Sequence, residues 1–192
     1  MGLDMYLEKC NRKMWGYKDV DISEIKETKP QLYAELKPFI VLKGRSDIFQ
    51  WESLFEEVGY WRKANAIHKW FVDNVQNGID DCCYHEVTKE NIQELLRRCK
   101  IIKGASTMEK AYIENGKTFA NDQWCPIYIE GETISNPNIA KNLLPTQEGF
   151  FFGGTNYDQW YMNDITATID ILQKVLDETD FDREMIVYCS SW

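Results

Sequence analysis

The sequence predicts a single α+β domain over residues 1–192, in which a short antiparallel sheet packs with about three main amphipathic helices. Three observations predict this class: an alternating apolar segment opens the chain, a β-type run closes it, and three long helix-like segments lie between them. The opening and closing segments are expected to pair in the sheet. Strands and helices do not alternate regularly enough to predict a doubly wound parallel sheet.

The first half of the chain begins with a strand. Leu3, Met5 and Leu7 alternate with other residues, which is typical of a strand with one buried face. Residues 9–29 are predicted to form an exposed loop or an extended segment. The predicted helices that follow are one from Pro30 that ends near Lys37 because of Pro38, a short one (51–57), one (58–76) that stops at Asn77-Gly78, and one (88–103) capped by Thr88.

The second half contains weaker signals before a third clear helix. The pattern of residues 105–125 is ambiguous: residues 108–113 fit a helix, and Asn115-Gly116 is a turn signal. The elements predicted after them are a short hairpin (127–134), a loop (137–145), a buried strand bounded by glycines (149–153), an amphipathic helix (157–178) and a closing strand (185–189).

Acidic residues dominate the charge of this chain. The net charge is −9, and residues 101–192 carry six basic and fourteen acidic side chains. No basic run is present to replace counterions along a phosphate backbone, so we predict no direct nucleic-acid binding. No apolar run approaches the roughly 20 residues of a membrane helix, so we also predict no membrane partner. The excess acid serves solubility or recognises a basic surface on a partner.

The cysteine usage predicts free thiols in a reducing cytoplasm, because the first residues lack the basic and apolar regions of a signal peptide.

Cys82, Cys83 and His85 form the densest group of ligand-type side chains. Adjacent cysteines do not converge easily on one tetrahedral ion, and no residue marks a thiol of lowered pKa. We therefore predict no metal site and no cofactor.

One group of polar residues suggests a catalytic cleft. His68 lies in the apolar stripe of a predicted helix, where a core histidine with one hydrogen bond is the ordinary interpretation. The turn Gly153–Asn156 precedes a predicted helix, and Thr155 or Asn156 is expected to cap it. The functional alternative combines this turn with His68, Arg62, Asn65 and Asp158 in the cleft of a small hydrolase or a nucleotide-binding enzyme.

A second group of residues suggests a surface that contacts a partner. The acidic cluster comprises Asp177, Glu178, Asp180 and Asp182, at the end of the last predicted helix. A solvated turn is its ordinary interpretation, and a contact for a basic partner is the functional one. Trp160 falls at the margin of its helix stripe, and an exposed Trp is a typical interface anchor.

Five blocks at both ends and in the middle of the chain form a specific identifying pattern. They are Met1–Leu7 (MGLDMYL), Val58–Phe71 (VGYWRKANAIHKWF), Leu143–Gly153 (LLPTQEGFFFG), Tyr157–Tyr161 (YDQWY) and Ser190–Trp192 (SSW). In these blocks the chain resembles a family of small, uncharacterised bacteriophage and prophage proteins. The resemblance implies a protein of phage type that acts in the cytoplasm of a bacterial host, and it implies no particular activity.

The leading hypothesis is a phage-type accessory protein without catalytic activity. It would bind and inhibit a host or defence protein that has a basic surface, in the manner of an acidic anti-CRISPR inhibitor. The enzyme with the cleft described above is the first alternative, and a structural protein of a phage particle is the second.

Overall fold

The computed structural model describes residues 2–46, 49–120, 122–149 and 151–192. Over these ranges the chain forms an α+β domain, which confirms the predicted class. The strands are β1 (Asp4–Asn11), β2 (Val41–Ser46), β3 (Phe49–Ser53), β4 (Glu56–Arg62), β5 (His85–Val87), β6 (Met108–Ala120), β7 (Gln123–Ile134) and β8 (Glu184–Ser191). The helices are α1 (Ile22–Thr28), α2 (Pro30–Leu36), α3 (Asn65–Asn74), α4 (Lys89–Ala105), α5 (Asn138–Leu143) and α6 (Gln159–Glu178), with 3₁₀ turns at Arg12–Tyr17 and Lys37–Phe39.

The central sheet has four antiparallel strands in the order β4-β1-β8-β5. The N- and C-terminal strands pair along their full length, with Leu7 opposite Tyr188, so the predicted pairing of the chain ends is confirmed. Side chains of successive residues point to opposite faces of a strand. The alternation of Leu3, Met5 and Leu7 therefore places all three on one face, where each is fully buried.

The main core lies between that face of the sheet and helices α3, α4 and α6. Phe71 of α3 stacks on Tyr188 of β8, with ring centroids 4.0 Å apart. Leu95 of α4 and Leu172 of α6 are also fully buried here. The helices at 88–103 and 157–178 are confirmed as α4 and α6, since each has the 3.6-residue apolar period that its packing against one face requires.

A second, smaller core covers the opposite face of the sheet. Cys10, Met185 and Val187 pack there against residues of the 12–40 region and of the loop before β4. The exposed loop predicted for 9–29 is wrong, because this stretch contains the end of β1, a 3₁₀ turn and α1. Its few apolar side chains, such as Ile25, bury themselves on this second face.

The predicted helix over 58–76 is only partly correct, because its first residues belong to β4. Tyr60 lies opposite Tyr6 of β1, and Trp61 faces the core. Lys63, with φ of 62°, then ends the strand, and α3 begins at Asn65. In a short aromatic stretch the spacing of apolar residues does not distinguish a helix from a strand. Hydrogen bonding to β1 therefore decides that these residues form a strand. The short helix predicted at 51–57 is wrong for the same reason, since β3 and β4 occupy it.

The region between α4 and α6 differs most from prediction. Strands β6 and β7 pair along most of their length, which replaces the short hairpin expected at 127–134. Asn115-Gly116 forms a bulge inside β6 and not a turn, and α5 occupies part of the loop expected at 137–145. No strand forms in the described part of 149–153; Phe150, within that predicted strand, lies outside the described residues.

Candidate functional site

A cavity with a volume of about 1160 Å³ lies beside the first turns of α6. Its walls come from the junction of β4 and α3, the described part of the loop 146–156, the first turns of α6 and the middle of β6, at 114–117. The structure thus brings together the turn Gly153–Asn156 with Arg62, Asn65 and Asp158, four features that sequence analysis grouped into one cleft. Trp160 lines the same cavity.

Asn65 holds the loop that forms one wall of this cavity. Its buried amide nitrogen Nδ2 donates hydrogen bonds to the carbonyl oxygens of Phe152, at 3.1 Å, and Gly154, at 2.7 Å. Its Oδ1 accepts a hydrogen bond from the backbone N–H of Gln147 at 3.0 Å. Gly153 has φ of 91°, and an added Cβ would lie 3.1 Å from the Lys63 carbonyl oxygen. Asn65 is therefore a positioning residue for the loop, with its polar atoms already engaged.

Asp158 is the N-cap of α6, a position expected for Thr155 or Asn156. Its Oδ1 accepts hydrogen bonds from the backbone N–H groups of Trp160, at 2.9 Å, and Tyr161, at 3.4 Å. Burial raises the pKa of this carboxyl group, and those backbone hydrogen bonds act in the opposite direction. Asp158 therefore occupies the amides that a phosphate group would need at this helix terminus.

Asp164 lies in the second turn of α6 and also lines the cavity. Burial, and then the negative charge of Asp158, raises the pKa of Asp164 to about 7. Among the described residues its carboxyl group makes no hydrogen bond or ion pair, so the group is free for a ligand. Sequence analysis missed this residue. The available signal was its position directly before Ile165, which belongs to the buried face of the helix.

Two cations and an indole ring complete the cavity. Arg62 and Lys63 line it, and neither forms an ion pair with any residue that the structure describes. Lys117, on the hairpin, lies 4.0 Å from Glu114, measured from Nζ to Oε1. The side chain of Trp160 is 44% exposed at this cavity, so its ring is accessible.

His68 lies apart from the cavity, in the main core. Its ring is fully buried, with Nδ1 2.8 Å from the Tyr188 hydroxyl and Nε2 3.0 Å from Oδ2 of Asp80. A proton on Nε2 lets the ring donate to Asp80 and accept from Tyr188, which satisfies both nitrogens. Because a buried imidazole loses its hydration when charged, the pKa of His68 is lowered. The requirement that His68 line the cleft is not met.

The acidic cluster and Trp160 lie at opposite ends of α6. Seventeen residues separate Trp160 from Asp177, which corresponds to about 26 Å along the helix at 1.5 Å per residue. Within the cluster, Asp180 lies 3.7 Å from Arg183, and Glu178 lies 3.9 Å from Lys174. These residues therefore form two separate surfaces, and the acidic one is partly neutralised by neighbouring cations.

The β6–β7 hairpin presents an aromatic surface that sequence analysis did not identify. Trp124 and Tyr128 lie on the same face of β7, because they are four residues apart. On β6, Phe119 lies opposite Trp124, and Glu114 lies opposite Tyr128. Tyr112, two residues before Glu114, shares that face. We call these four rings (Tyr112, Phe119, Trp124 and Tyr128) the aromatic face; each is between 59% and 73% exposed. The strand register was needed to find it, because it aligns rings from two strands.

No family model, curated protein or solved structure matches this chain.

The remaining ligand-type residues engage one another across short distances. Nε2 of His85 lies 2.9 Å from Oδ1 of Asp81, and no group of three or more His, Cys, Asp or Glu in the described ranges could hold a metal ion. Burial raises the pKa of Cys189 to about 12 and also raises that of Cys82, which opposes thiolate formation. In the described part of the chain, no helix is long and apolar enough to cross a membrane.

Proposed function

We propose that this protein is a phage-type accessory protein that binds and inhibits a host or defence protein in the bacterial cytoplasm, as an acidic anti-CRISPR-like inhibitor. The aromatic face of the β6–β7 hairpin is the observation that carries this proposal. Tyr and Trp are enriched among residues that dominate binding energy at protein interfaces. Four exposed rings on one surface therefore favour a protein partner.

The hairpin is also unusual in its isolation. Every described residue from 115 to 128 except Cys125 is exposed, so the outer half of the hairpin has no contact with the main core. With strands of 13 and 12 residues, the ribbon extends for about 40 Å at 3.3–3.4 Å per residue. A two-stranded ribbon is marginally stable by itself, so a partner that packs on the aromatic face would stabilise it.

The charge of the hairpin indicates the kind of partner. Residues 108–134 contain two basic and five acidic side chains, for a net charge of −3. A matching surface would have an apolar groove bordered by basic residues. Basic surfaces are typical of proteins that bind nucleic acid. The acidic cluster on α6 would then add a second, longer-range attraction to the same basic partner.

The first experiment compares capture of host proteins by three tagged versions of the full chain. We expect the wild type to retain a specific host or defence protein from a bacterial lysate, identified by mass spectrometry. The variant Phe119→Ser/Trp124→Ser should lose this protein, because it removes the ring pair of the outer hairpin, whose centroids are 5.5 Å apart. The control variant Phe49→Ser removes an equally exposed ring from β3 and should retain it.

A functional assay completes the test. Expression of the wild type should increase plating of a phage on a host whose defence system contains the captured protein, and Phe119→Ser/Trp124→Ser should not. Retention of the same partner by that double variant would show that the aromatic face is not the binding surface. Capture without any effect on plating would contradict inhibition.

A further inference from the structure

We propose that the cavity beside α6 is a binding site for a nucleoside monophosphate, with the base between Trp160 and Asp164 and the phosphate near Arg62 and Lys63. The four rings of the aromatic face are not among the residues that line this site, and the proposal does not depend on a protein partner. The volume of about 1160 Å³ is sufficient for a ligand of this size.

The carboxyl group of Asp164 supports recognition of the base. It is half-buried at the cavity and makes no hydrogen bond within the described residues, so its oxygens are available to a ligand. With a pKa of about 7, the group is present both as acid and as carboxylate near neutral pH. The acid form donates a hydrogen bond to a ring nitrogen of a base, and the carboxylate accepts one from an N–H group of a base.

Trp160 supplies the surface on which a planar ring stacks. Its indole is accessible at the cavity, on the first turn of the helix that carries Asp164. Stacking of a base on an aromatic side chain is favourable for every base, because each has a π-face. Asp164 would then select among bases through its hydrogen bonds.

The phosphate position follows from the distribution of charge in the cavity. Asp158, Glu148 and Glu114 add negative charge to its walls, although Asp158 caps α6 and Glu114 lies next to Lys117. Arg62 and Lys63 are consecutive in the chain and have no anionic partner among the described residues. A phosphate group is the anion that such a pair of neighbouring cations binds well.

Titration calorimetry with the purified full chain tests this proposal. The probes are the 5′-monophosphates of adenosine, guanosine, cytidine and uridine, with ribose 5-phosphate and the free nucleosides as partial ligands and spermidine as a cationic alternative. We expect saturable binding of at least one nucleotide. Each partial ligand should bind at least about tenfold more weakly, because it lacks the base or the phosphate.

Two variants and one control locate the site. Asp164→Asn keeps the size of the side chain and should weaken binding by about tenfold or more. Gly154→Leu fills space at the cavity wall, where an added Cβ has no neighbour within 4 Å, and should abolish binding without strain in the fold. Asp170→Asn changes an exposed carboxylate on the same helix, away from the cavity, and should leave the affinity unchanged.

Several results would overturn the proposal. The first is that none of the four nucleotides shows saturable binding at about 5 mM. The second is that ribose 5-phosphate binds as tightly as the nucleotide. The third is that both Asp164→Asn and Gly154→Leu bind with unchanged affinity. Binding of spermidine alone would assign the cavity to cationic ligands instead. Thermal unfolding of each variant confirms that any loss of affinity is not a loss of fold.

Discussion

Oδ2 of Asp80 lies 3.0 Å from Nε2 of His68, and the other ring nitrogen of His68 lies 2.8 Å from the hydroxyl of Tyr188. This chain of hydrogen bonds joins α3, the loop after it and the C-terminal strand. The indole of Trp192 donates a further hydrogen bond to Oδ1 of Asp80, at 3.2 Å. His68 therefore stabilises the contact between distant parts of the chain, and its polar atoms are not available to a substrate.

The first prediction concerns the pH dependence that His68 gives to stability. Its pKa in the folded protein lies below the ordinary value of 6.5, because burial disfavours the charged ring. The unfolded chain therefore binds a proton first as the pH falls below about 6.5, and the folded state loses stability by at most about 1.4 kcal/mol per pH unit. Asp164 acts with the opposite sign over part of this range. Urea unfolding of the Asp164→Asn variant between pH 8 and pH 5 should therefore show this decline.

Replacement of His68 isolates its contribution to that decline, and His85 provides the control position. His68→Gln should lower the free energy of unfolding by about 1–3 kcal/mol at pH 8, since it disrupts two buried hydrogen bonds. Its free energy of unfolding relative to that of the wild type should also rise as the pH falls from 6.5 to 5, because the variant lacks the destabilising protonation of His68 in the unfolded chain. His85→Gln, the control on a less buried site, should have little effect at pH 8. A His68→Gln variant as stable as the wild type would contradict the buried network.

The second prediction concerns Asp164, whose burial makes the folded protein less stable as the pH rises, opposite to the effect of His68. Its pKa is about 7 when folded and 3.8 ordinarily, so the unfolded state releases its proton first as the pH rises. The wild type should therefore lose stability relative to Asp164→Asn between about pH 4 and pH 7, by at most about 1.4 kcal/mol per pH unit, with no further change above pH 7. Chemical denaturation of both proteins across this range measures the difference. A constant difference from pH 4 to pH 7 would show that Asp164 ionises as an exposed carboxylate does.

The third prediction concerns the ion pair of the second core. The carboxylate of Glu8 is buried and accepts hydrogen bonds from Lys43 and, at 3.2 Å, from the hydroxyl of Tyr84. Lys43→Met should lower the free energy of unfolding by about 3–5 kcal/mol, because it leaves a buried charge without its partner. The double variant Glu8→Gln/Lys43→Met should recover part of this loss. Equal destabilisation of the single and double variants would show that the lost packing of Lys43, and not the unpaired charge, is responsible.

The fourth prediction concerns the acidic cluster at the end of α6. Reversal to Lys at Asp177, Glu178, Asp180 and Asp182 should slow association with a basic partner and reduce its capture, with the largest effect at low ionic strength. Surface plasmon resonance against the captured protein at two salt concentrations measures this effect. The control variant Asp19→Lys adds positive charge at an exposed position of another segment. Unchanged binding by the four-residue variant would remove the acidic cluster from the interface.

The fold class and the best-defined elements could be predicted from local patterns. Helices α4 and α6 carry enough turns for an apolar period to be distinct, and Thr88 caps α4 with the reciprocal hydrogen bonds of a capping box. The alternation in β1 identified its buried face, and the two terminal strands pair as expected. These features depend on residues close together in the sequence, so they can be predicted from short segments of it.

Other features depended on pairing between distant segments. Val58–Arg62 has an apolar pattern that suits a helix, but hydrogen bonding to β1 makes it a strand. The aromatic face forms only when β6 and β7 adopt one register, because Phe119 and Trp124 must lie opposite each other. No local pattern specifies the partner of a strand, which explains why this face was missed.

For this protein, the sequence by itself determined the α+β class, the long helices and the strand at each end, because these follow from periodicity and capping within short segments. Only the tertiary structure decided that Asn65, Asp158 and Asp164 line one cavity while His68 binds Tyr188, 120 residues away, in the core. The physical reason is that a side chain's neighbours depend on long-range packing, which local patterns do not specify.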